Sequence, residues 1–418
     1  MWVAFIPYSS FLIPASPFRV LHLPKWYPHR YDDQDGDFVA RHVAAIAAGP
    51  LPDGRPLQTA VVFAAVARGP LPGWTDVETD LGGPVPTWRY YYRARLTGLP
   101  PLDRLLKLGL WLLCLGHGLR AVRRYWGGQR PDLVHAHIML RPAVLAWWLR
   151  LRHRIPYLIT ENWTVFLPIN DARRGWLRGW LAGQLVKRAD AFTPVSQDLR
   201  TALARLGGAS ARTVVIPNVV DTSLFHPPLP TTPRQGLLNV AVFNEQAKNL
   251  SGLLRTVARL RAHNPLLTVR LRVVGFGPAE KMLHQLATDL DLLADGTVTF
   301  LGKLSSAGVA EEMRRAACFV LFSNYENLPC VLIEAQASGL PAVATRVGGV
   351  PELLPGDNSR GLLVPAGDEA ALADALTAVL QNLTQFDAAA LRRHAEAHFS
   401  VAAVGQQFRM LYQSISTS

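Results

Sequence analysis

Short apolar runs alternate with helical patterns along the first half of the chain. The pattern at residues 37–49 predicts a helix that ends at a glycine. The apolar runs occupy residues 19–27, 59–67, 132–140, 155–163, 191–197 and 211–221. Alternation of this kind predicts parallel strands joined by helices that cover both faces of the sheet.

A second series of strand and helix patterns follows a proline-rich stretch at residues 226–236. It begins with a strand pattern at residues 237–244 and a helical pattern at 249–265 that stops at a proline. The sequence therefore predicts an α/β protein with two Rossmann-like, doubly wound domains that face each other across a cleft. Ligands of such sheets bind at the carboxyl ends of the strands.

These patterns divide the chain into an N-terminal domain at residues 19–225, a linker at 226–236 and a C-terminal domain at 237–395. A last helix, within residues 396–418, is expected to cross back to the N-terminal domain. Residues 1–18 are apolar but lack the basic segment and the cleavage site of a signal peptide. We expect them to form an extension that is disordered or that precedes the true start.

The excess positive charge lies entirely in the first half of the chain. Residues 1–225 hold 27 Lys and Arg against 15 Asp and Glu, whereas residues 226–418 hold 16 of each. Nucleic acid, an anionic membrane or an acidic substrate could each explain this excess. No helix-turn-helix, RNA-binding or basic-repeat pattern is present, which argues against nucleic acid. The three cysteines have no disulfide or zinc-site spacing and favour a reducing, cytoplasmic environment.

Two glutamates stand eight positions apart in the second half of the chain. Glu326 follows a strand pattern, and Glu334 lies near the start of a helical pattern. Both carboxylates would then lie at one edge of the cleft, beside the N–H groups of the first helical turn. Those donors suit a diphosphate, and a carboxylate accepts hydrogen bonds from neighbouring sugar hydroxyls. An isolated pair of this kind is more often a helix-terminal charge and a solvated loop carboxylate.

The residues around this pair resemble the E-x7-E signature of the retaining glycosyltransferases of family 4, which have the GT-B fold. Other segments resemble the family's motifs in the family's order, namely PDLVHAH (131–137), VIPNVVDTSLF (215–225), VVGFGP (273–278), ATRVGGVPELL (344–354) and GLLVPAGD (361–368). The resemblance covers most of residues 19–415. It implies a metal-independent hexosyltransferase that uses a nucleotide-diphosphate sugar, needs no cofactor and retains the anomeric configuration.

The resemblance also implies a role for each matching residue. Glu326 would contact hydroxyls of the donor sugar, Glu334 would bind the ribose hydroxyls, and Lys248 would neutralise the donor diphosphate. His137 would face the transferred sugar, although a histidine at a strand end can also be a hydrogen-bonded core residue. The remaining donor-side residues would be Asn327, Leu328, Pro329, Cys330, Gly275 and Gly277.

On the acceptor side, the resemblance points to the loop after the first strand. Gly36 there would let the backbone approach the phosphate and the acceptor, because only glycine avoids a Cβ clash, and Asp37 belongs to the same loop. Glu161, after another strand pattern, would contact the acceptor or support the interface between the domains.

One stretch departs from the family pattern. The family has an arginine a few residues before the lysine, but residues 242–245 are Val, Phe, Asn and Glu. Diphosphate neutralisation would then depend on Lys248 and helix dipoles, or on another cation such as Lys303. The D-x-D pairs at residues 33–37 and 289–291 do not follow apolar strands, so we expect no catalytic metal.

Alternative functions share this architecture. A nucleotide-sugar epimerase or a phosphorylase would act without the same acceptor. A non-catalytic nucleotide-sugar-binding protein would bind the donor but would not convert it. The basic first half favours an enzyme with a real acceptor surface. We expect the acceptor to be a glycan or a lipid-linked molecule of cell-envelope or polysaccharide biosynthesis.

Two segments of the first half also predict contact with an anionic membrane. Residues 104–126 place a Trp- and Leu-rich body between basic ends, and residues 173–188 place Trp176 and Trp180 among five basic residues. This texture suits interfacial helices, and the protein would then be peripheral on the inner face of the membrane. The alternative is that both segments are ordinary helices packed on the sheet. The apolar stretch at residues 108–116 is too short to cross a bilayer by itself.

Overall fold

The computed structural model describes residues 16–94, 97–207, 210, 212–229, 233–263 and 269–417, without the side chains at positions 173 and 174. The predicted extension up to residue 15 and residues 230–232 of the predicted linker lie outside the described residues.

The first half of the chain forms one twisted sheet. Its strands are β1 (Phe18–Pro24), β2 (Leu57–Val66), β3 (Thr75–Asp80), β4 (Thr87–Tyr92), β5 (Leu133–His137), β6 (Tyr157–Glu161) and β7 (Ala191–Pro194). They are ordered β3-β4-β2-β1-β5-β6-β7, and only β3 and β4 pair in antiparallel fashion. The inner strands are buried on both faces, which explains why they are continuous apolar runs.

Helices cover both faces of this sheet. They are α1 (Asp37–Ala47), α2 (Pro100–Tyr125), α3 (Arg141–His153), α4 (Asp171–Arg174), α5 (Trp176–Arg188) and α6 (Gln197–Arg205). Leu21 and Leu23 of β1 join the core under α2, α3 and α5. Val20 points to the opposite face and packs under α1. The alternation of side chains along β1 thus separates the two cores.

The second half forms a six-stranded parallel sheet in the order β10-β9-β8-β11-β12-β13. The strands are β8 (Leu237–Val240), β9 (Leu271–Val274), β10 (Val298–Gly302), β11 (Cys318–Leu321), β12 (Ala342–Thr345) and β13 (Gly361–Val364). The helices are α7 (Glu245–Lys248), α8 (Leu250–His263), α9 (Glu280–Asp289), α10 (Ser306–Arg315), α11 (Cys330–Ala337), α12 (Val350–Leu353), α13 (Glu369–Gln381), α14 (Ala388–Phe399) and α15 (Val401–Ser416). The predicted architecture of two doubly wound parallel sheets is confirmed.

The last helix, α15, packs against α1 of the first half. Phe408 and Tyr412 of α15 are fully buried in the core that contains Val20 and Ile46. Arg409 donates a hydrogen bond to the carbonyl of Ala45 at the end of α1. The C-terminus of the chain therefore completes the N-terminal unit.

Three local features differ from the expectations. The sequence pattern did not indicate the β3–β4 hairpin, whose strand β3 (TDVETD) is polar and lies at the sheet edge. The basic segment at residues 173–188 is broken at Gly175, where φ is 70°. The apolar stretch at residues 108–116 belongs to the longer helix α2, which has the length and composition of a membrane span. In this structure one side of α2 packs on the sheet through Leu110, Trp111 and Cys114.

Candidate functional site

The two glutamates lie in the cleft, in the segment that joins β11 to α11. β11 ends at Leu321, and α11 begins at Cys330 with Pro329 as its N-cap residue. Glu326 is therefore in the loop and Glu334 in the helix, and they are only 7% and 5% exposed. Buried carboxylates of this kind require charged or hydrogen-bonding partners.

The cation bonded to Glu326 comes from the same, C-terminal unit. Its Oε1 accepts hydrogen bonds from Lys248 Nζ at 2.5 Å and from Ser323 Oγ at 2.7 Å. Lys248 is the last residue of α7, and the side chain of Asn244 caps this helix by accepting from the Ala247 N–H. In the stretch where the family pattern has an arginine, this chain thus has a helix-capping asparagine.

The cation bonded to Glu334 comes from the N-terminal unit. Arg41, on α1, donates from Nη1 to Glu334 Oε1 at 2.5 Å and pairs through Nη2 with Asp37 Oδ2 at 2.5 Å. Burial lowers the pKa of Arg41, but Glu334 and Asp37 more than offset it, so that its pKa lies above the ordinary value. The sequence analysis missed Arg41. The available signal was the Asp37–Arg41 spacing of one helical turn directly after Gly36.

The loop between the two glutamates holds the two units together. Asn327 donates from Nδ2 to the carbonyl of Asn162 at 2.9 Å and accepts from Ser196 Oγ at 2.7 Å. Asn218 donates to the carbonyl of Leu328 at 2.8 Å and accepts from the Asn162 side chain at 2.7 Å. Asn327 and Leu328 are therefore fixed by interdomain hydrogen bonds, which the sequence did not indicate.

The predicted loop glycines pack against the protein backbone. Gly36 precedes α1 with φ of 66°, and a Cβ there would overlap the backbone of Trp26. A Cβ on Gly275 would overlap the carbonyl of Ala241, and one on Gly277 would crowd the backbone of Phe243. These contacts fix the loops at the cleft edge. Cys330 lies at the start of α11, and burial raises the pKa of its thiol to about 12.

His137 is buried beside two other histidines at the end of β5, and its role toward the transferred sugar stays a prediction. Its ring is 1% exposed, stacks on His135 with the centroids 3.8 Å apart, and shares a hydrogen bond with His22 at 3.0 Å. Burial, together with the neighbouring histidines, holds the pKa of His137 well below its usual value, so the ring is neutral. Its Nδ1 is buried without a hydrogen-bond partner.

Glu161 cannot contact an acceptor in this conformation, because it is fully buried. Its carboxylate accepts hydrogen bonds from the backbone N–H groups of Met139, Asn162 and Trp163 at 2.7, 2.9 and 2.7 Å. Burial raises the pKa of Glu161 to about 7, although these backbone hydrogen bonds lower it. Glu161 therefore fixes the loops after β5 and β6, and it reaches the domain interface only through Asn162.

The remaining candidate cations and metal ligands are paired elsewhere. Lys303, the suggested substitute for the arginine, bonds to Asp33 across the cleft at 2.6 Å. Asp35 pairs with His29 at 3.4 Å and Asp37 with Arg41, so these aspartates do not converge. Within the described part of the chain, one group of three such side chains could hold a metal ion by proximity, namely His22, His135 and His137. Both ring nitrogens of His135 already bond to Tyr412 and Thr160.

Two family models match the chain. The model described as Glycosyltransferase Family 4 matches residues 80–224, and the model described as Glycosyl transferases group 1 matches residues 234–382. The phosphatidyl-myo-inositol mannosyltransferase of Mycobacterium leprae is 30% identical over 304 residues, which are 71% of this chain and 77% of that protein. The D-inositol 3-phosphate glycosyltransferase of Geodermatophilus obscurus is 32% identical over 64% of this chain, and this match spans 63% of that relative's length.

Solved structures with the same two-domain arrangement are also similar. The sucrose-phosphate synthase of Thermosynechococcus elongatus has a TM-score of 0.73 at 22% identity, over 96% of this chain and 99% of that chain. Anabaena HepE, solved in complex with UDP-glucose, has a TM-score of 0.68 at 18% identity, over 95% of this chain and 99% of that chain. At these identities the likeness shows the fold.

Proposed function

Since the chain belongs to family 4 of the glycosyltransferases, we propose that it moves a sugar from a nucleotide-diphosphate donor to an acceptor, with retention of configuration. The observation that carries this proposal is the pair of buried cleft glutamates, each bonded to a cation at 2.5 Å. The donor offers alternative partners to both glutamates and both cations. Its hydroxyls bind the carboxylates, and its diphosphate binds the cations.

The donor would bind by exchanging partners within this site. The ribose hydroxyls would donate hydrogen bonds to Glu334 and replace its ion pair with Arg41. Hydroxyls of the transferred sugar would likewise donate to Glu326 and replace its ion pair with Lys248. Both cations then lie beside the diphosphate, at the start of α11. The UDP and glucose complexes of Anabaena HepE support a nucleotide-sugar donor. Arg41 would thus replace the arginine that residues 242–245 lack, from the opposite side of the cleft.

The proposed reaction breaks the bond between the anomeric carbon and the β-phosphate oxygen, and the electron pair stays on that oxygen. Lys248 and Arg41 stabilise the charge that develops there. The acceptor hydroxyl attacks the anomeric carbon from the same face, and its proton passes to the departing phosphate oxygen. The unpartnered Nδ1 of His137 would bond to the sugar once the cleft loops adjust, since a buried polar atom without a partner is costly.

Donor binding tests this proposal directly. In a thermal-shift panel of UDP-, GDP- and ADP-sugars, we expect one nucleotide class to raise Tm, because ligand binding stabilises the folded state. Glu334→Ala should weaken that binding roughly 10- to 100-fold, which corresponds to a lost charge-assisted hydrogen bond. Glu369→Ala, which removes an exposed ion pair of the same unit, is the matched control. Binding without donor turnover would instead indicate a non-catalytic binding protein.

We also propose that the protein docks on an anionic bilayer through the outer side of α2, α3 and α5. These helices carry eleven Lys and Arg and one Asp, and Asp103 is buried. Their exposed apolar side chains form what we call the outer apolar face: Leu102, Leu105, Leu108, Leu112, Leu113, Val144, Trp148, Leu151, Trp176, Leu177 and Trp180. Basic residues interleaved with exposed Trp and Leu suit an anionic lipid surface.

Vesicle co-sedimentation measures this docking. We expect binding to vesicles that contain phosphatidylserine and none to pure phosphatidylcholine, with loss at high salt. Arg104→Glu/Lys107→Glu should weaken binding about 10-fold or more, because each basic residue near the surface contributes about 1 kcal/mol. Arg259→Glu/Lys281→Glu makes the same charge change on the exposed surface of the other unit. Equal binding of both vesicle types would contradict the docking proposal.

A further inference from the structure

A cavity of about 540 Å³ lies in the N-terminal unit, separate from the Glu326 and Glu334 pair. It is lined by residues after the carboxyl end of β1 and at the N-terminal ends of α3 and α5, including Lys25, Arg141 and Arg178. Trp163 lines it too and directly follows Asn162, whose carbonyl bonds to Asn327 of the donor-side loop. The cavity therefore opens next to the cleft.

The lining of this cavity has more positive than negative side chains, namely Lys25, Arg68, Arg141 and Arg178 against the single carboxylate of Asp35. Among the ion pairs of the described residues, none involves Lys25, Arg141 or Arg178. Asp35 lies 3.4 Å from His29 Nε2, and the only ion pair of Arg68 is with Asp32, at 3.9 Å, among the described residues. Burial, with the positive charges of Arg178 and Arg141, lowers the pKa of Lys25 to about 8 although Glu161 raises it. An excess of positive over negative side chains around one cavity favours an anion in that cavity.

The same cavity has aromatic walls. Lys25 Nζ lies 3.2 Å from the ring centroid of Trp163 and 4.4 Å from that of Trp26. Arg141 lies 6.0 Å from the ring of Trp111. These contacts hold the cations at the wall while they remain open to a ligand. Flat apolar walls beside cations suit a ligand that combines a carbon skeleton with a negative group, and an inorganic ion would leave most of the volume unfilled.

From this arrangement, we infer that the cavity binds the acceptor and that the acceptor carries a phosphate group held by Lys25, Arg141 and Arg178. The inference rests on the proposed transferase function and names its acceptor class. Three cations match the several oxygens of a phosphate, and Arg binds phosphate in a bidentate manner. The phosphate belongs either to a soluble sugar phosphate or to a lipid headgroup. The lipid source is compatible with the position of Arg178, which lies on α5 between Trp176 and Trp180 of the outer apolar face.

The test is calorimetry with the donor site filled by whichever nucleoside diphosphate binds. The soluble arm compares glucose 6-phosphate with glucose. The lipid arm compares phosphatidic acid with diacylglycerol in phosphatidylcholine vesicles. We expect at least 10-fold tighter binding of the phosphorylated partner in one arm, which identifies the source. Lys25→Met and Arg141→Gln should each abolish that preference, whereas Arg130→Gln, a control cation that lines a different cavity of the same unit, should keep it.

Two outcomes would overturn the inference: no preference for phosphate in either arm, or a preference that survives both substitutions. Arg141 is exposed, so its variant remains informative if Lys25→Met fails to fold. Nucleoside diphosphate binding should be unchanged in both variants. If no nucleoside diphosphate binds the wild-type protein, the proposed transferase function fails, and that result is distinct from failure of the acceptor inference.

Discussion

The Lys248→Met variant is expected to transfer sugar about 10²- to 10³-fold more slowly than the wild-type protein, which is the usual effect of removing one preorganised group that stabilises developing charge. Residues 242–245, where the family pattern has an arginine, contribute a capping asparagine instead. The cation that bonds to Glu326 at 2.5 Å would therefore bear most of the leaving-group charge from the C-terminal side. We expect the loss in kcat, measured as release of nucleoside diphosphate.

Loss of this pair also leaves Glu326 buried without its cation, which by itself destabilises a fold. The double variant Lys248→Met/Glu326→Gln removes both charges and separates the two effects. We expect it to melt near the wild-type Tm and to remain slow. Lys281→Met, an exposed lysine on α9, should be fully active. A Lys248→Met enzyme within threefold of the wild-type rate would contradict this role.

The Arg41→Ala variant is expected to lose about 10- to 100-fold in kcat/KM. This is the range of one hydrogen bond to a charged group, about 1.5–3 kcal/mol. Arg41 reaches Glu334 from the opposite unit, so the loss would show that the N-terminal unit contributes a cation to the diphosphate. The measurement is the rate of donor consumption at several donor concentrations.

Lys303→Ala is the matched control for Arg41→Ala, because it also breaks an ion pair across the cleft, at the exposed Asp33. We expect its rate to stay within threefold of wild type. If both variants lose the same activity, the two ion pairs act by holding the units closed, and Arg41 does not stabilise the diphosphate. If neither loses activity, Lys248 alone neutralises the diphosphate.

The sequence predicted the parallel sheets because their inner strands are buried on both faces and form apolar runs. It missed β3, where TDVETD is an exposed edge strand whose polar residues carry no burial signal. The pattern also predicted a strand at residues 211–221, but the described residues 212–221 form only isolated bridges, at Thr213 and Val220. Backbone pairing at an edge depends on the neighbouring strand, which sequence pattern does not contain.

For the site, the spacing of Glu326 and Glu334 predicted two carboxylates at one edge of the cleft, and the family resemblance added Lys248, which bonds to Glu326 in the structure. Arg41 was missed because its partner is 293 residues away, and no local pattern reports a contact across the cleft. His137 and Glu161 were identified as strand-end residues, but burial decided their environment. Whether a strand-end side chain is exposed or buried depends on neighbours that are distant in the sequence, as His22 is for His137.

The most direct test of the central claim is the anomeric configuration of the product. The protein is incubated in EDTA with the donor identified by the thermal-shift panel, labelled with ¹³C at the anomeric carbon, and with the preferred acceptor. NMR then follows nucleoside diphosphate release and the new anomeric signal. A glycoside with the same anomeric configuration as the donor, formed without metal, is the expected result. An inverted product, an absolute metal requirement, or donor that binds and is never cleaved would contradict a retaining, metal-independent glycosyltransferase.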